Sequence, residues 1–148
     1  MLLALRSCAI HENIVSHFSN QVSQLHRHWG YAFLHAAPIR IAEARSEHIL
    51  VGYFNQAHQL LRIDHIASGE PGTVDIPTRA MMCNALNLSA YGIVLAHNHP
   101  SGDPRPSRAD ITTTRDVARM FHPLQIRIDD HLIVSGDQIF SFRDAGMI

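Results

Sequence analysis

A chain of 148 residues, 46% hydrophobic and 17% charged, has the size and composition of one domain with a buried core. Its formal net charge of -1, from 12 basic and 13 acidic residues, argues against a broadly phosphate-binding surface. Every basic residue is arginine, which excludes Schiff-base, P-loop and nucleophilic lysine chemistry. Histidine is as abundant as arginine, with 12 copies, and raises the question of a metal. Cys8 and Cys83 are too few for a disulfide framework or a cysteine-rich zinc site, so a metal here has to be held by histidine and carboxylate. The apolar start, Met1 to Leu5, is too short for a signal peptide, and no stretch reaches bilayer-spanning length. The expectation is a cytoplasmic protein with no membrane partner.

In chain order, Ile14, Phe18, Val22 and Leu25 fall at helical spacing and predict an amphipathic helix, with Trp29 pinning it to the domain. Residues 48–54 and 59–66 are two apolar-rich runs around Asn55-Gln56-Ala57-His58, the pattern of a β-hairpin. A turn cluster at 68–72 follows. Pro77 then opens a helix predicted to reach Leu88, with Cys83 read as a core residue. Gly92 to Ala96 is fully apolar and short, as in a buried strand. Ser107 to Phe121 predicts a helix with Ile111, Thr114, Val117 and Phe121 on one face. Residues 125–128, 131–135 and 138–142 read as three further short strands, the last two joined by a turn at Gly136-Asp137. Strands interleaved with helices predict an α/β or α+β domain around one mixed β-sheet flanked by helices. The expected organisation is an N-terminal helical extension over 1–40 and a domain over 41–148.

The chemistry concentrates at 97–110. His97 and His99 are two apart, so at the end of an extended strand both imidazoles point the same way. The pair alone means little, because His26 and His28 repeat the spacing with nothing site-like around them. The context gives it weight. Pro100-Ser101-Gly102 turns the chain, seven residues separate His99 from Ser107, and Asp110 follows three later. Ser107-x-x-Asp110 is a near-capping-box at a helix start, and a carboxylate in that first turn can also face back toward the histidines. Two histidines, one carboxylate and an open position for water make up a common catalytic zinc site.

The run His97-Asn98-His99-Pro100-Ser101-Gly102-Asp103-Pro104-Arg105-Pro106-Ser107-Arg108-Ala109-Asp110 closely resembles the JAMM metallopeptidase motif, in the form typical of the RadC family of bacterial MPN-type domains. Asp130 to Val134 and Ser141 to Gly146 resemble two further segments of that family, so the likeness covers about residues 40–148. It implies an MPN/JAB-like, cytidine-deaminase-like architecture and a zinc hydrolase acting on a peptide or isopeptide bond of a peptide or protein substrate. By that resemblance His97, His99 and Asp110 hold Zn²⁺. Glu47, on the strand that opens the core domain, is the general base, with Glu43 as the alternative. Ser107 hydrogen-bonds the oxyanion. Relatives commonly carry Pro-Arg-Glu where this chain has Pro77-Thr78-Arg79. Longer ones add a helix-hairpin-helix DNA-binding module for which residues 1–40 are too short.

Two other readings belong beside the enzyme: a scaffold module without peptidase activity, and a DNA-repair or recombination-associated protein. Arg108, Arg115 and Arg119 share one side of the 107–121 helix, but Asp103, Asp110 and Asp116 lie among them, and a solvated helix face is the simpler account. His131 is read as a structural hydrogen-bonding residue, and His48 as facing away from Glu47 across its strand.

Overall fold

The computed structural model describes residues 44–69, 76–136 and 138–148, together with Phe33, Ile41 and Ala42. The helix expected around Ile14 to Leu25, Trp29, Glu43 and the pair His26/His28 lie outside them. Along the chain run β1 (Glu47–Phe54), β2 (Leu60–Gly69), α1 (Thr78–Asn87), β3 (Gly92–Asn98), α2 (Arg108–Phe121), β4 (Arg127–Ser135) and β5 (Gln138–Ser141). A short 3₁₀ turn, His122–Leu124, follows α2. The strands form one mixed sheet in the order β2-β1-β3-β4-β5. Only β3 and β4 are parallel, and α2 supplies the crossover that a parallel pair requires. The fold is α+β, as expected from the sequence.

Central β3 explains the apolar run: all seven of its residues are buried. Strand alternation then divides it between two cores. Ile93 and Leu95 pack with Val51 and Tyr53 of β1 against Met81 and Ala85 of α1 and Val117 and Phe121 of α2. Val94 and Ala96 face the other way, onto Leu50, Phe54, Leu132, Phe33 and Ile41. Gly52 makes that second core fit. A Cβ there would lie 2.5 Å from the Phe33 ring, so only glycine lets the ring lie against β1. His97 continues the first face, the one covered by α2; Asn98 continues the second.

Two expectations are corrected. The strands read at 125–128 and 131–135 are one strand, Arg127–Ser135. Asp129-Asp130 looked like a break because carboxylates are rare inside buried strands. Here a bulge between Ile93 and Val94 on β3 and Ile128 and Asp130 on β4 takes up Asp129. Asp130 is satisfied by Ser141 Oγ (2.6 Å) and the backbone N–H groups of His131 (2.7 Å) and Arg143 (3.0 Å). Cys83 is exposed, not core: α1 turns Met81 and Ala85 inward and Cys83 out. The hairpin, α1 and α2 occur where the sequence places them, with β2 running on to Gly69. No helix among the described residues is long and apolar enough to cross a membrane.

Candidate metal centre

β3 ends in His97, which is 4% exposed, and His99 follows just past the strand. His99 is fixed by the neighbouring strand: its N–H donates to Val134 O (2.9 Å), and its carbonyl accepts from Ser135 Oγ (2.9 Å). Across the turn at Gly102, whose φ of +88° suits glycine, the chain returns to open α2. Ser107 caps that helix. Its hydroxyl accepts from Asp110 N (3.1 Å), and its own N–H donates to Asp110 Oδ2 (2.7 Å), so the capping box is complete. The same carboxylate faces the histidines, with Oδ1 3.3 Å from His97 Nε2 and Oδ2 3.4 Å from His99 Nε2. The capping reading of Ser107-x-x-Asp110 holds, and the same geometry is compatible with Asp110 as a ligand.

The two Nε2 atoms are 2.9 Å apart, and among the described residues His97, His99 and Asp110 are the one group of this kind able to share a metal. A tetrahedral ion with ligand bonds of about 2.0–2.2 Å needs donors about 3.3–3.6 Å apart. Both histidine–carboxylate distances fit, and the histidine pair is tighter by about 0.4 Å. The donor chemistry fits too. His99 Nδ1–H donates to the Asp103 carbonyl (2.8 Å), which leaves the Nε2 electron pair of the neutral ring facing the other two groups.

Electrostatics agree. Burial pushes the Asp110 carboxyl up, but His97 and His99 against it outweigh that effect and hold the group well below the ordinary carboxylate range. The Asp110 carboxylate in turn raises His99 above its ordinary value, against the opposing effect of burial. The site therefore keeps an ionised carboxylate beside two imidazoles, where a positive charge is favoured.

Glu47 is the first residue of β1. Ile49 pairs with His97 in the antiparallel register, so Glu47, two residues earlier on the same face, comes level with the chain just beyond His97. It lines a cleft of about 220 Å³ together with His97, His99, Ser107, Asp110 and His131. The structure thus brings all five candidate residues to one cleft. A larger groove of about 1060 Å³, at the far end of α2, is walled by arginines and apolar side chains. Arg119 and Arg127 there are paired with Asp116 and Asp129.

Three neighbours escaped the sequence reading or were read only in outline. Asn98, 1% exposed, clamps the approach to β1: its Nδ2 donates to Ser46 O (3.0 Å) and Ala44 O (3.3 Å), and its Oδ1 accepts from His48 N–H (2.8 Å). Glu47 sits inside that clamp. His131 has the structural role expected of it, with Nε2 2.8 Å from His97 Nδ1 and Nδ1 2.6 Å from Thr114 Oγ1. Burial, with His97 beside it, keeps its pKa well below the ordinary histidine value. Thr114 looked like an ordinary helix-face residue because its partner lies 17 positions away. His48 turns to the opposite side, against His65.

The chain matches the RadC-like JAB domain over residues 31–147. It is similar to the UPF0758 protein YfjY of Escherichia coli (strain K12), 36% identical over 110 residues, which make up 74% of this chain and 69% of the relative. The UPF0758 protein YeeS of the same organism is also 36% identical, with 74% of each chain covered. The UPF0758 protein BAV2405 of Bordetella avium (strain 197N) is 38% identical over 108 residues, 73% of this chain and only 48% of the relative, so the likeness spans about half of that longer protein. The matched span takes in Glu47, His97, His99, Ser107 and Asp110 together, and this chain belongs to the family of RadC-like JAB domains.

Proposed function

We propose that this protein is a zinc-dependent hydrolase of the JAMM type that cleaves a peptide or isopeptide amide bond. The observation that carries the proposal is the meeting of two imidazole Nε2 atoms and one carboxylate in a cleft that also holds Glu47 and Ser107. Three protein ligands with a fourth position open is the catalytic arrangement of zinc rather than the closed structural one. His97, His99 and Asp110 would hold the ion, whose Lewis acidity brings the pKa of water toward 7.

The chain's own groups supply the rest. Glu47 accepts a proton from the attacking water and returns it to the leaving amine. Ser107 uses an oxygen lone pair to cap Asp110 N–H, which leaves its hydroxyl proton free to donate to the oxyanion. Asp110 is oriented by the Ser107 N–H, so the ligand carboxylate is set in place by the helix start itself.

Metal analysis of the purified protein tests the reading: about one zinc per chain is expected, with loss of the ion in Asp110→Ala and His97→Ala. Screening on fluorogenic peptide and isopeptide libraries follows. Hydrolysis that stops with a chelator and returns with zinc is expected, and Glu47→Gln should abolish it while keeping the metal. A wild-type protein that takes up no zinc sinks the proposal, and full activity in Glu47→Gln moves the base elsewhere.

A further inference from the structure

We infer that Thr114 and His131 are positioning residues that lock His97 into the one tautomer able to present an electron pair to the metal. The direction of the hydrogen bonds forces this. Thr114 Oγ1 lies 2.6 Å from the Asp110 carbonyl oxygen, and two oxygens that close must have a proton between them. The hydroxyl has only one proton, so it is spent on that carbonyl, and Oγ1 can only accept from its other neighbour. That neighbour is His131 Nδ1, 2.6 Å away, which must therefore carry its N–H.

His131 is buried, at 2% exposure, with Phe142 stacked on its ring at 4.9 Å, and its two ring nitrogens bond to His97 and Thr114 rather than to a carboxylate. A charged imidazolium there is costly, so the ring is neutral and its second nitrogen is bare. That bare Nε2 sits 2.8 Å from His97 Nδ1, which must in turn be the donor. His97 thus keeps a proton on Nδ1, and Nε2, 3.3 Å from Asp110 Oδ1 and 2.9 Å from His99 Nε2, is the nitrogen left for a metal. The chain of bonds begins at the backbone of Asp110 and returns to the side chain of the same residue, so one ligand orients the other through α2 and β4. His99 is set independently, by Asp103.

This inference rests on the metal-centre reading for its purpose, though not for its test. Long-range ¹H–¹⁵N correlation spectra of the metal-free protein should show both His97 and His131 protonated on Nδ1. Finding either Nδ1 without its proton overturns the inference, whether or not the protein binds zinc. Competition titration with zinc or cobalt should then show Thr114→Val weakened about 10- to 100-fold, with Thr114→Ser within a few-fold of wild type. Thr114→Val that keeps its fold by circular dichroism and binds cobalt as tightly as wild type overturns it equally. Should Thr114→Val fail to fold, the tautomers of the wild type and the affinity of Thr114→Ser decide the matter. A wild type that binds no metal refutes the proposed function, while the tautomer spectra still judge the hydrogen-bond chain.

Discussion

Replacing Asn98 by alanine should loosen the approach to β1 without touching a metal ligand. The side chain makes three hydrogen bonds, to Ala44 O, Ser46 O and His48 N–H, each 50 or more residues away. At about 0.5–1.5 kcal/mol net apiece the set is worth about 1.5–4.5 kcal/mol. Ala44, Ser46 and His48 are only partly buried, so water can take over some of these bonds, which brings the expected loss to about 2–3 kcal/mol. For a chain of this size that is about 6–10 °C in Tm. Urea unfolding gives the free energy, and hydrogen exchange places it: the His48 amide should lose protection while β3 and β4 keep theirs. Asn98→Asp should be at least as damaging, because a carboxylate can accept from His48 N–H but sets negative charge against two carbonyl oxygens. An Asn98→Ala protein within about 0.5 kcal/mol of wild type, with His48 still protected, would falsify the clamp.

Gly92→Ala should cost about 1–3 kcal/mol in urea unfolding, because the new Cβ would lie 2.0 Å from Asp129 Oδ2 in a buried strand; an unchanged midpoint refutes it. Burial, with the Asp64 carboxylate beside it, raises the Tyr53 phenol to about 12. Its folded value exceeds the unfolded value near 10, so the stability it contributes is complete below about pH 10 and is lost as pH rises toward 12, at no more than about 1.4 kcal/mol per pH unit. Tyr53→Phe should lack that alkaline slope, and equal slopes in the two proteins contradict the assignment. Arg143→Ala should cost about 1–3 kcal/mol, since its guanidinium donates to the carbonyls of Ile128 and Asp129 and holds the C-terminal segment on β4; thermal unfolding measures it.

The candidate site was legible because its information is local. His97, His99, Ser107 and Asp110 lie within 14 residues; strand and helix periodicities permit them to converge, and the resemblance of that run to the JAMM motif pointed to a metal. Glu47 needed more, since only the pairing of Ile49 with His97 brings its face to the cleft, and register is a property of the assembled sheet. Asn98 and Thr114 carry no local signal: one sits at a strand's end, the other on a helix's buried face, and their partners are distant in sequence. Asp129-Asp130 misled for the same reason. Buried carboxylates read as a strand break until Asp130 is seen bonded to Ser141 and the Arg143 N–H, and Asp129 paired with Arg127. Cys83 shows how little a weakly amphipathic helix reveals about which side faces in.

The dual use proposed for Asp110 bears on how an ion would be chosen. A ligand carried on a free loop must be immobilised when the metal arrives, and the lost rotamer freedom counts against affinity. Here the Ser107 N–H has already fixed the carboxylate when α2 forms, so that entropy is settled during folding rather than during capture. The proposed coordination sphere would thereby be rigid as well as preassembled. An ion that needs longer bonds or more ligands than His97, His99 and Asp110 provide would have to draw the carboxylate away from the Ser107 N–H and open the cap. Discrimination among metals would thus be built into the cap of α2, where size is tested against the stiffness of the fold.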